Sequence, residues 1–227
     1  MTTEEYDMVT ISQDGPIWTL NLGDDENRFT PDWMAAVDVA LDELEASKAP
    51  AALVTTAEGK FFTNGLDLEW LTQHADQYAT YVAQVQGLMA RILALPVPTV
   101  AAINGHAFGA GAMLAVAHDY RVMREDRGFF CFPEVDIRIP FTPGMNALIM
   151  SKLTPSAARD SMTTGRRFSG PDAVATGLVD ASTPLDGLAE AAAGYVRELA
   201  GRDRTTLGVI KRRMFADAVE ALHDAEI

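Results

Sequence analysis

The sequence predicts an α/β fold in which strands and helices alternate early in the chain and helices dominate toward its end. Two observations favour this class. Short apolar runs that suit buried strands, such as residues 51–56, are separated by segments with helical periodicity, such as residues 34–44. From about Asn146 onward the pattern is helical. With 227 residues, 48% of them hydrophobic, the chain is long enough to bury one large core.

The first half of the chain contains clear local signals. Residues 9–13 and 17–22 alternate apolar and polar around Asp14-Gly15-Pro16, which predicts a β-hairpin. Thr30-Pro31 is typical of a helix start, and the helix is expected to end near Lys48. A strand over 51–56, a glycine-containing loop over 58–67 and a helix from Asp76 follow.

The second half is predicted to contain three more strands and a series of helices. Residues 100–103 form an apolar strand that leads through a glycine turn into a small-residue helix over 112–117. Residues 120–123 and 129–132 are expected to be strands around a charged turn. The later helices are predicted over residues 155–164, 170–176, 185–200 and 203–221.

Charge and composition exclude several classes of function. The net charge of −14 disfavours nucleic acid as a partner, because binding to phosphates needs basic patches. A single cysteine, Cys131, rules out an internal disulfide and is expected to be a buried, unreactive thiol, and no metal site is expected. No window has the ~18 apolar residues of a membrane span. We expect no signal peptide in the acidic N-terminus, no address in the C-terminus, and a cytoplasmic location.

Residues 99–120 (TVAAINGHAFGAGAMLAVAHDY) form the most informative stretch. A strand, a glycine turn and a helix N-terminus together present unpaired N–H groups and a dipole that favours an anion. The spacing from Gly105 is G-x-x-x-G-x-G, which is not a nucleotide-binding motif. A tight strand-to-helix corner without any ligand is an equally good interpretation of this stretch alone.

Four motifs in register resemble the crotonase superfamily, the enoyl-CoA hydratase/isomerase family. The motifs are FTNGLD at 62–67, NGHAFGAG at 104–111, FPEV at 132–135 followed by Ile139-Pro140, and FSG at 168–170 with Ala173 and GLVD at 177–180. The resemblance extends in order over roughly residues 6–200. It implies a spiral of ββα units with a helical C-terminal trimerisation region. We assign residues 1–200 to that core and residues 201–227 to a short helical tail.

The resemblance also implies a substrate and an anion site. The substrate would be an acyl-CoA thioester, with CoA as part of the substrate and no separate cofactor. Its carbonyl would lie in an oxyanion hole made by the backbone N–H groups of Leu66 and Ala110. Such donors contribute about 3–4 kcal/mol each in comparable sites. The assembly would be a homotrimer or a dimer of trimers.

The catalytic residues distinguish the reactions of this family. Hydratases resembling this chain use two glutamates; Met113 stands at the position of the first, and Glu134 at the second. With a single glutamate base, the chain resembles the Δ3-Δ2-enoyl-CoA isomerase branch, in which one glutamate moves a proton from C2 to C4. The apolar neighbours of Glu134 are expected to raise its pKa. The alternatives are a hydratase with an unforeseen second group, another crotonase-type reaction such as thioester hydrolysis, or a non-catalytic CoA-thioester-binding protein.

Several further residues are candidates for contacts with CoA or the acyl group. They are Arg28, Phe29, Phe62, Asn64, Asp67, Trp70 and Leu71. Each has a structural alternative: Arg28 as a solvated arginine, Asp67 as a helix cap, and Trp70 with Leu71 as simple packing.

Two more polar residues lie close to the motifs. Asp136 is a possible second carboxylate, on the same side as Glu134 if this segment is strand-like. His106 is expected to be structural, and His118-Asp119 to end the central helix.

Overall fold

The computed structural model describes residues 9–224, which fold around two β-sheets. The strands are β1 (Thr10–Asp14), β2 (Ile17–Asn21), β3 (Ala52–Thr56), β4 (Phe61–Thr63), β5 (Thr99–Ile103), β6 (His106–Phe108), β7 (Tyr120–Arg124), β8 (Phe130–Cys131) and β9 (Ala181–Thr183). The larger sheet has the order β1-β2-β3-β5-β7-β9, and the smaller has the order β4-β6-β8. β1 and β2 form the predicted antiparallel hairpin, and the other pairings within both sheets are parallel.

The helices fill the intervals between strands and then dominate the C-terminal part. They are α1 (Pro31–Ala46), α2 (Leu68–Gln73), α3 (Tyr78–Ala94), α4 (Ala110–Ala117), α5 (Glu134–Ile137), α6 (Pro143–Lys152), α7 (Pro155–Met162), α8 (Gly170–Thr176), α9 (Leu185–Val196), α10 (Arg204–Met214) and α11 (Ala216–His223). Thr30 caps α1 by accepting a hydrogen bond from the Trp33 N–H, as its sequence predicts. Within the described residues no helix is long and apolar enough to cross a membrane.

The chain winds as a spiral because consecutive strands enter different sheets. Three successive turns, β3-β4, β5-β6 and β7-β8, each place one strand in the larger sheet and the next in the smaller sheet, and each is followed by a helix. This confirms the predicted α/β spiral of ββα units. The three strands of the smaller sheet are only two or three residues long, which is too short for a sequence period to reveal.

Helix α4 lies at the centre of the core. All eight of its residues are buried, and β5, which precedes it, is buried along its whole length. Glycine and alanine make up most of the helix, so neighbouring elements can approach it from every side. His118 ends the helix as predicted: its two ring nitrogens lie 2.9 Å from Leu114 O and 2.8 Å from Thr55 Oγ1, and burial lowers its pKa to about 4.

The C-terminal segment differs from the prediction. The single helix expected over 203–221 is two helices, α10 and α11, which join at Phe215. Helix α11 packs on α3 and α6, and Phe215, Ala218 and Leu222 belong to the same hydrophobic core as α4. The described part of residues 201–227 therefore contributes a layer to the core, and the boundary after residue 200 stays a prediction.

A buried lysine joins α10 to the central strand. Lys211 Nζ donates hydrogen bonds to Leu95 O, Val97 O and Asp119 Oδ2, at 3.1, 3.0 and 2.8 Å. Asp119 in turn accepts a hydrogen bond from the N–H of Thr99, the first residue of β5. This network fixes the C-terminal helices to the strand that leads into α4.

Candidate active site

The three strands of the smaller sheet direct three chain segments to one place. β4 leads to Leu66, β6 leads to Ala110 at the start of α4, and β8 leads to Glu134 at the start of α5. Because these strands are parallel, their carboxyl ends lie at the same edge of the sheet. The residues predicted to form the oxyanion hole and the base are thus brought together by the fold.

Gly65 allows the loop after β4 to lie directly against the start of α4. Its φ is +79°, and a Cβ atom there would lie 2.7 Å from Phe108 O and 3.1 Å from the backbone nitrogen of Ala110. Only glycine combines that conformation with that approach. Thr63 fixes the turn, because its hydroxyl accepts a hydrogen bond from the Gly65 N–H at 3.0 Å and donates one to Asn27 O at 2.7 Å.

Two backbone donors at this point are unpaired. Among residues 9–224, no protein acceptor contacts the N–H of Leu66 or of Ala110. Ala110 is the first residue of α4, so its N–H also lies at the positive end of the helix dipole. Two adjacent free donors of this kind fit an oxygen that becomes negatively charged.

Glu134 lies beside these donors. Its Oε1 is 3.3 Å from the position that a Cβ atom would take on Gly109, the residue before Ala110. The side chain is only 8% exposed, and its Oε2 has no hydrogen-bond partner among the described residues. Burial disfavours the ionised form and raises the pKa of Glu134 to about 7. A carboxylate with this pKa can accept and release a proton near neutral pH.

A cavity of about 660 Å³ opens from Glu134. Most of its walls are apolar, formed by Val135, Ile139, Pro140, Phe141, Pro143 and Met162. Thr142 anchors one wall, because its hydroxyl caps α6 through the Met145 N–H and donates to Gln86 Oε1 at 2.6 Å. Its apolar walls suit a hydrocarbon chain that begins at Glu134.

The segment 67–71 is structural in the described chain. Asp67 caps α2 by accepting hydrogen bonds from the N–H groups of Glu69 and Trp70. Trp70 stacks on Tyr81 with ring centroids 5.2 Å apart, and Leu71 is buried. Neither Trp70 nor Leu71 is among the residues that line the cavity at Glu134, and their assignment to the acyl pocket stays a prediction.

The candidates near the loop 26–29 and 62–64 divide into two groups. Arg28 forms an ion pair with Glu26, and Asn64 Nδ2 donates to the same carboxylate at 3.3 Å, so both are partly exposed on one surface. The rings of Phe29 and Phe62 are fully buried. Both rings pack in the hydrophobic core, and their contact with CoA stays a prediction.

Three further positions are clarified by the structure. Asp136 lies on the short helix α5 and not on a strand, so its exposed carboxylate packs against Gly165 and does not support Glu134. Met113 is 1% exposed and does not line the cavity. His106 lies among aromatic rings, and burial lowers its pKa.

Six of the residues that line the cavity carry no signal that the sequence motifs reveal: Arg138, Phe141, Thr142, Pro143, Asn146 and Met162. Arg138, Phe141 and Met162 line the cavity with Glu134, and Met162 comes from α7, well separated in the chain. A hydrophobic pattern cannot reveal which distant helix closes a pocket, so only the short spacing of Arg138 and Phe141 from Glu134 was available as a signal.

The site combines a buried carboxylate of raised pKa, two free backbone donors and an apolar cavity. Together these features suit proton transfer next to a carbonyl group. Comparison with known proteins agrees with this class. The chain belongs to the enoyl-CoA hydratase/isomerase family, whose model matches residues 17–226.

The chain is similar to members of this family that are named as enoyl-CoA isomerases. The chain is 38% identical over 205 residues to enoyl-CoA delta isomerase 3 of Arabidopsis thaliana, covering 86% of each chain. It is 40% identical over 184 residues to the peroxisomal enoyl-CoA delta isomerase 2 of the same plant, covering 77% of each. A solved structure from Mycobacterium tuberculosis described as an enoyl-CoA isomerase matches with a TM-score of 0.88 at 27% identity, covering 96% of each chain. A second structure of the same protein, described as a probable enoyl-CoA hydratase, matches with a TM-score of 0.88 at 28% identity, covering 95% of this chain and 92% of that one.

Proposed function

We propose that this protein is a Δ3-Δ2-enoyl-CoA isomerase that uses Glu134 as its single base. The observation that carries the proposal is the position of Glu134, buried beside the unpaired N–H groups at Leu66 and Ala110 and open to an apolar cavity. Its relatives named as enoyl-CoA delta isomerases support the same reaction.

The reaction requires one base and one oxyanion hole. The thioester oxygen accepts hydrogen bonds from the N–H groups of Leu66 and Ala110, which makes the C2 proton of a 3-enoyl thioester acidic. Ionised Glu134 takes that proton, and the electron pair moves into the C1–C2 bond as the dienolate forms with the C3–C4 double bond. Glu134 then returns the proton to C4, and the double bond shifts to C2–C3, in conjugation with the thioester.

Hydration is the second candidate function for a member of this family, and the cavity disfavours it. Adding water across a double bond needs a group that activates the water and one that protonates the adjacent carbon. Within the described residues Glu134 is the only carboxylate that lines the cavity, and Met113 offers no proton. The same set of cavity-lining residues disfavours thioester hydrolysis. The buried carboxylate of Glu134, with its raised pKa, disfavours a purely binding role.

The CoA portion of the substrate is proposed to pass the surface formed by Arg28 and Asn64. Both side chains already converge on Glu26, so a phosphate would compete with that carboxylate for the Arg28 guanidinium. Asp67 contributes through the α2 cap, which holds the loop that carries Leu66. No separate cofactor is needed for this proton transfer.

Assembly and location complete the proposal. We propose a homotrimer or a dimer of trimers, which light scattering on the purified protein tests, and a monomer at micromolar concentration would contradict it. A cytoplasmic location is consistent with Cys131, a free buried thiol, and cell fractionation tests it.

The decisive experiment gives the protein a 3-enoyl-CoA and a 2-enoyl-CoA. We expect the first to gain the ultraviolet absorbance of a conjugated thioester without hydration by mass spectrometry, and the second not to gain water. Glu134→Gln is expected to lose at least about a hundredfold in kcat, because removal of a general base costs about 10²–10⁴ in rate. Asp136→Asn, two residues away, is the matched control and should retain activity. Rapid hydration of the 2-enoyl-CoA would refute the isomerase assignment.

A further inference from the structure

Arg138 has an unusual backbone conformation next to the proposed base. It follows α5 with φ 60° and ψ 35°, in the left-handed region. Apart from glycine, only Asn27 and Arg138 have positive φ among the described residues. Asparagine adopts this region readily, whereas arginine does so at a conformational cost that the surrounding structure must offset. Residues held in this way cluster at ligand sites.

This conformation places Arg138 on the wall of the Glu134 cavity. The N–H groups of Arg138 and Ile139 both donate to Glu134 O, the latter at 3.1 Å, so the chain turns sharply at the end of α5. Arg138, Ile139 and Phe141 then line the same cavity as Glu134. A helix continuing past Ile137 would instead have carried residue 138 away along the helix.

The guanidinium of Arg138 has no carboxylate partner in the part of the chain that the structure describes. None of the ion pairs at residues 9–224 includes it, although most other pairs in this acidic protein satisfy an arginine. The nearest acids in the chain do not pair with Arg138: Asp136 packs against Gly165, and Glu134 lies beside Gly109. Arg138 is the only cation that lines this largely apolar cavity in the described structure.

We propose that Arg138 binds an anionic group of the acyl-CoA substrate, and that this group is a carboxylate at the far end of the acyl chain. C2 and C4 must lie at Glu134, so the carbons beyond C4 extend into the cavity that Arg138 lines. A planar guanidinium pairs with a carboxylate through two parallel hydrogen bonds. The preferred substrates are then 3-enoyl-CoA thioesters of dicarboxylic acids. This inference rests on the proposed isomerase function and specifies its substrate class.

The test compares two 3-enoyl-CoA substrates of equal chain length, one ending in a methyl group and one in a carboxylate. In Arg138→Gln, we expect kcat/KM for the carboxylate substrate to fall by about 10–100-fold and that for the methyl substrate to change by less than about twofold. Arg138→Lys keeps the positive charge but not the planar guanidinium. Its kcat/KM for the carboxylate substrate should lie between those of the wild type and Arg138→Gln. Arg159→Gln removes an exposed arginine on α7 that pairs with Asp160, and serves as the control.

A second pair of substrates separates the two sources of negative charge. Pantetheine thioesters of the same two acids lack the CoA phosphates. If Arg138 binds the distal carboxylate, Arg138→Gln retains its selective loss on the carboxylate-ended pantetheine thioester. A loss in Arg138→Gln that is equal for both acyl chains and vanishes with pantetheine would show that Arg138 binds a phosphate, and would overturn the proposal.

The same assays distinguish failure of this inference from failure of the isomerase assignment. If the wild-type protein converts the methyl-ended substrate but Arg138→Gln affects both substrates alike, the specificity proposal is wrong and the isomerase stands. If the wild-type protein converts neither substrate, both are wrong. Arg138→Gly checks folding, because glycine suits φ 60°, and its melting temperature should equal or exceed that of the wild type while its carboxylate selectivity is lost.

Discussion

Glu134→Gln is expected to make the protein more stable at alkaline pH while it removes activity. The substitution keeps the size and shape of the side chain but removes its charge. In the folded protein the carboxylate is buried and its Oε2 has no hydrogen-bond partner among residues 9–224, so ionisation of Glu134 there costs free energy. Glutamine never ionises and avoids that cost.

The magnitude follows from the pKa of Glu134, which burial raises from 4.5 to about 7. The folded state holds its proton more tightly than the unfolded state, so the contribution of Glu134 to stability falls as pH rises from about 4.5 to about 7 and is constant above. The full loss is about 3 kcal/mol, since a tenfold change in the equilibrium is about 1.4 kcal/mol. Between about pH 5 and pH 8 the change is roughly 2.5 kcal/mol.

Urea unfolding of both proteins at about pH 5 and pH 8 measures this difference. Burial of the glutamine amide adds a cost of its own, but that cost does not depend on pH, so it cancels when the two pH values are compared. We expect the free energy of unfolding of Glu134→Gln, relative to wild type, to rise by roughly 2.5 kcal/mol between them. Parallel pH curves for the two proteins would refute the argument that burial controls the pKa of Glu134. In the wild type, kcat/KM should rise with pH to a plateau above about 7.

Two further predictions concern the supports of the site. Gly65→Ala should abolish activity, because its Cβ would lie 2.7 Å from Phe108 O at a φ of +79° and would displace the Leu66 loop. The matched control is Gly87→Ala in α3, where a Cβ meets nothing within 4 Å. This control should keep activity and should not melt at a lower temperature than the wild type. Lys211→Met should lower the free energy of unfolding by about 2–4 kcal/mol, since it leaves the Asp119 carboxylate without its buried cation. If the losses of stability in Lys211→Met and Asp119→Asn simply add in the double variant Lys211→Met/Asp119→Asn, that pairing contributes nothing.

The parts of the site that follow from residue type could be predicted from the sequence. Gly65 and Gly109 mark points of close backbone approach, the apolar run into Ala110 predicts a strand and a buried helix, and Glu134 stands in an apolar segment. In each case the residue types of the segment itself favour the local structure that it adopts. The raised pKa of Glu134 follows from its apolar neighbours, whereas the N–H groups of Leu66 and Ala110 are implied only by the resemblance to the family.

The parts that depend on distant neighbours could not be predicted. Residues 134–137 form a single helical turn after Pro133, which is too short to show a helical period, so the sequence leaves the orientation of Asp136 open. Phe29 and Phe62 lie next to loop residues that remain exposed, and only the packing of α1 and the core decides that their rings turn inward. The positive φ of Arg138 follows from the turn of the chain at the end of α5, which no pattern in residue type reveals.

Three unfavourable features of the molecule lie at one edge of its smaller sheet. A buried carboxylate oxygen without a partner, free N–H groups at Leu66 and Ala110, and a strained arginine lie together there. Each would relax if the loops could move apart. They are held because α4 is buried on all sides and because the C-terminal helices are tied to β5 through Lys211. A ligand that supplies an oxyanion, a transferable proton and a distal carboxylate would satisfy all three features at once, which is why we interpret their coincidence as one substrate site.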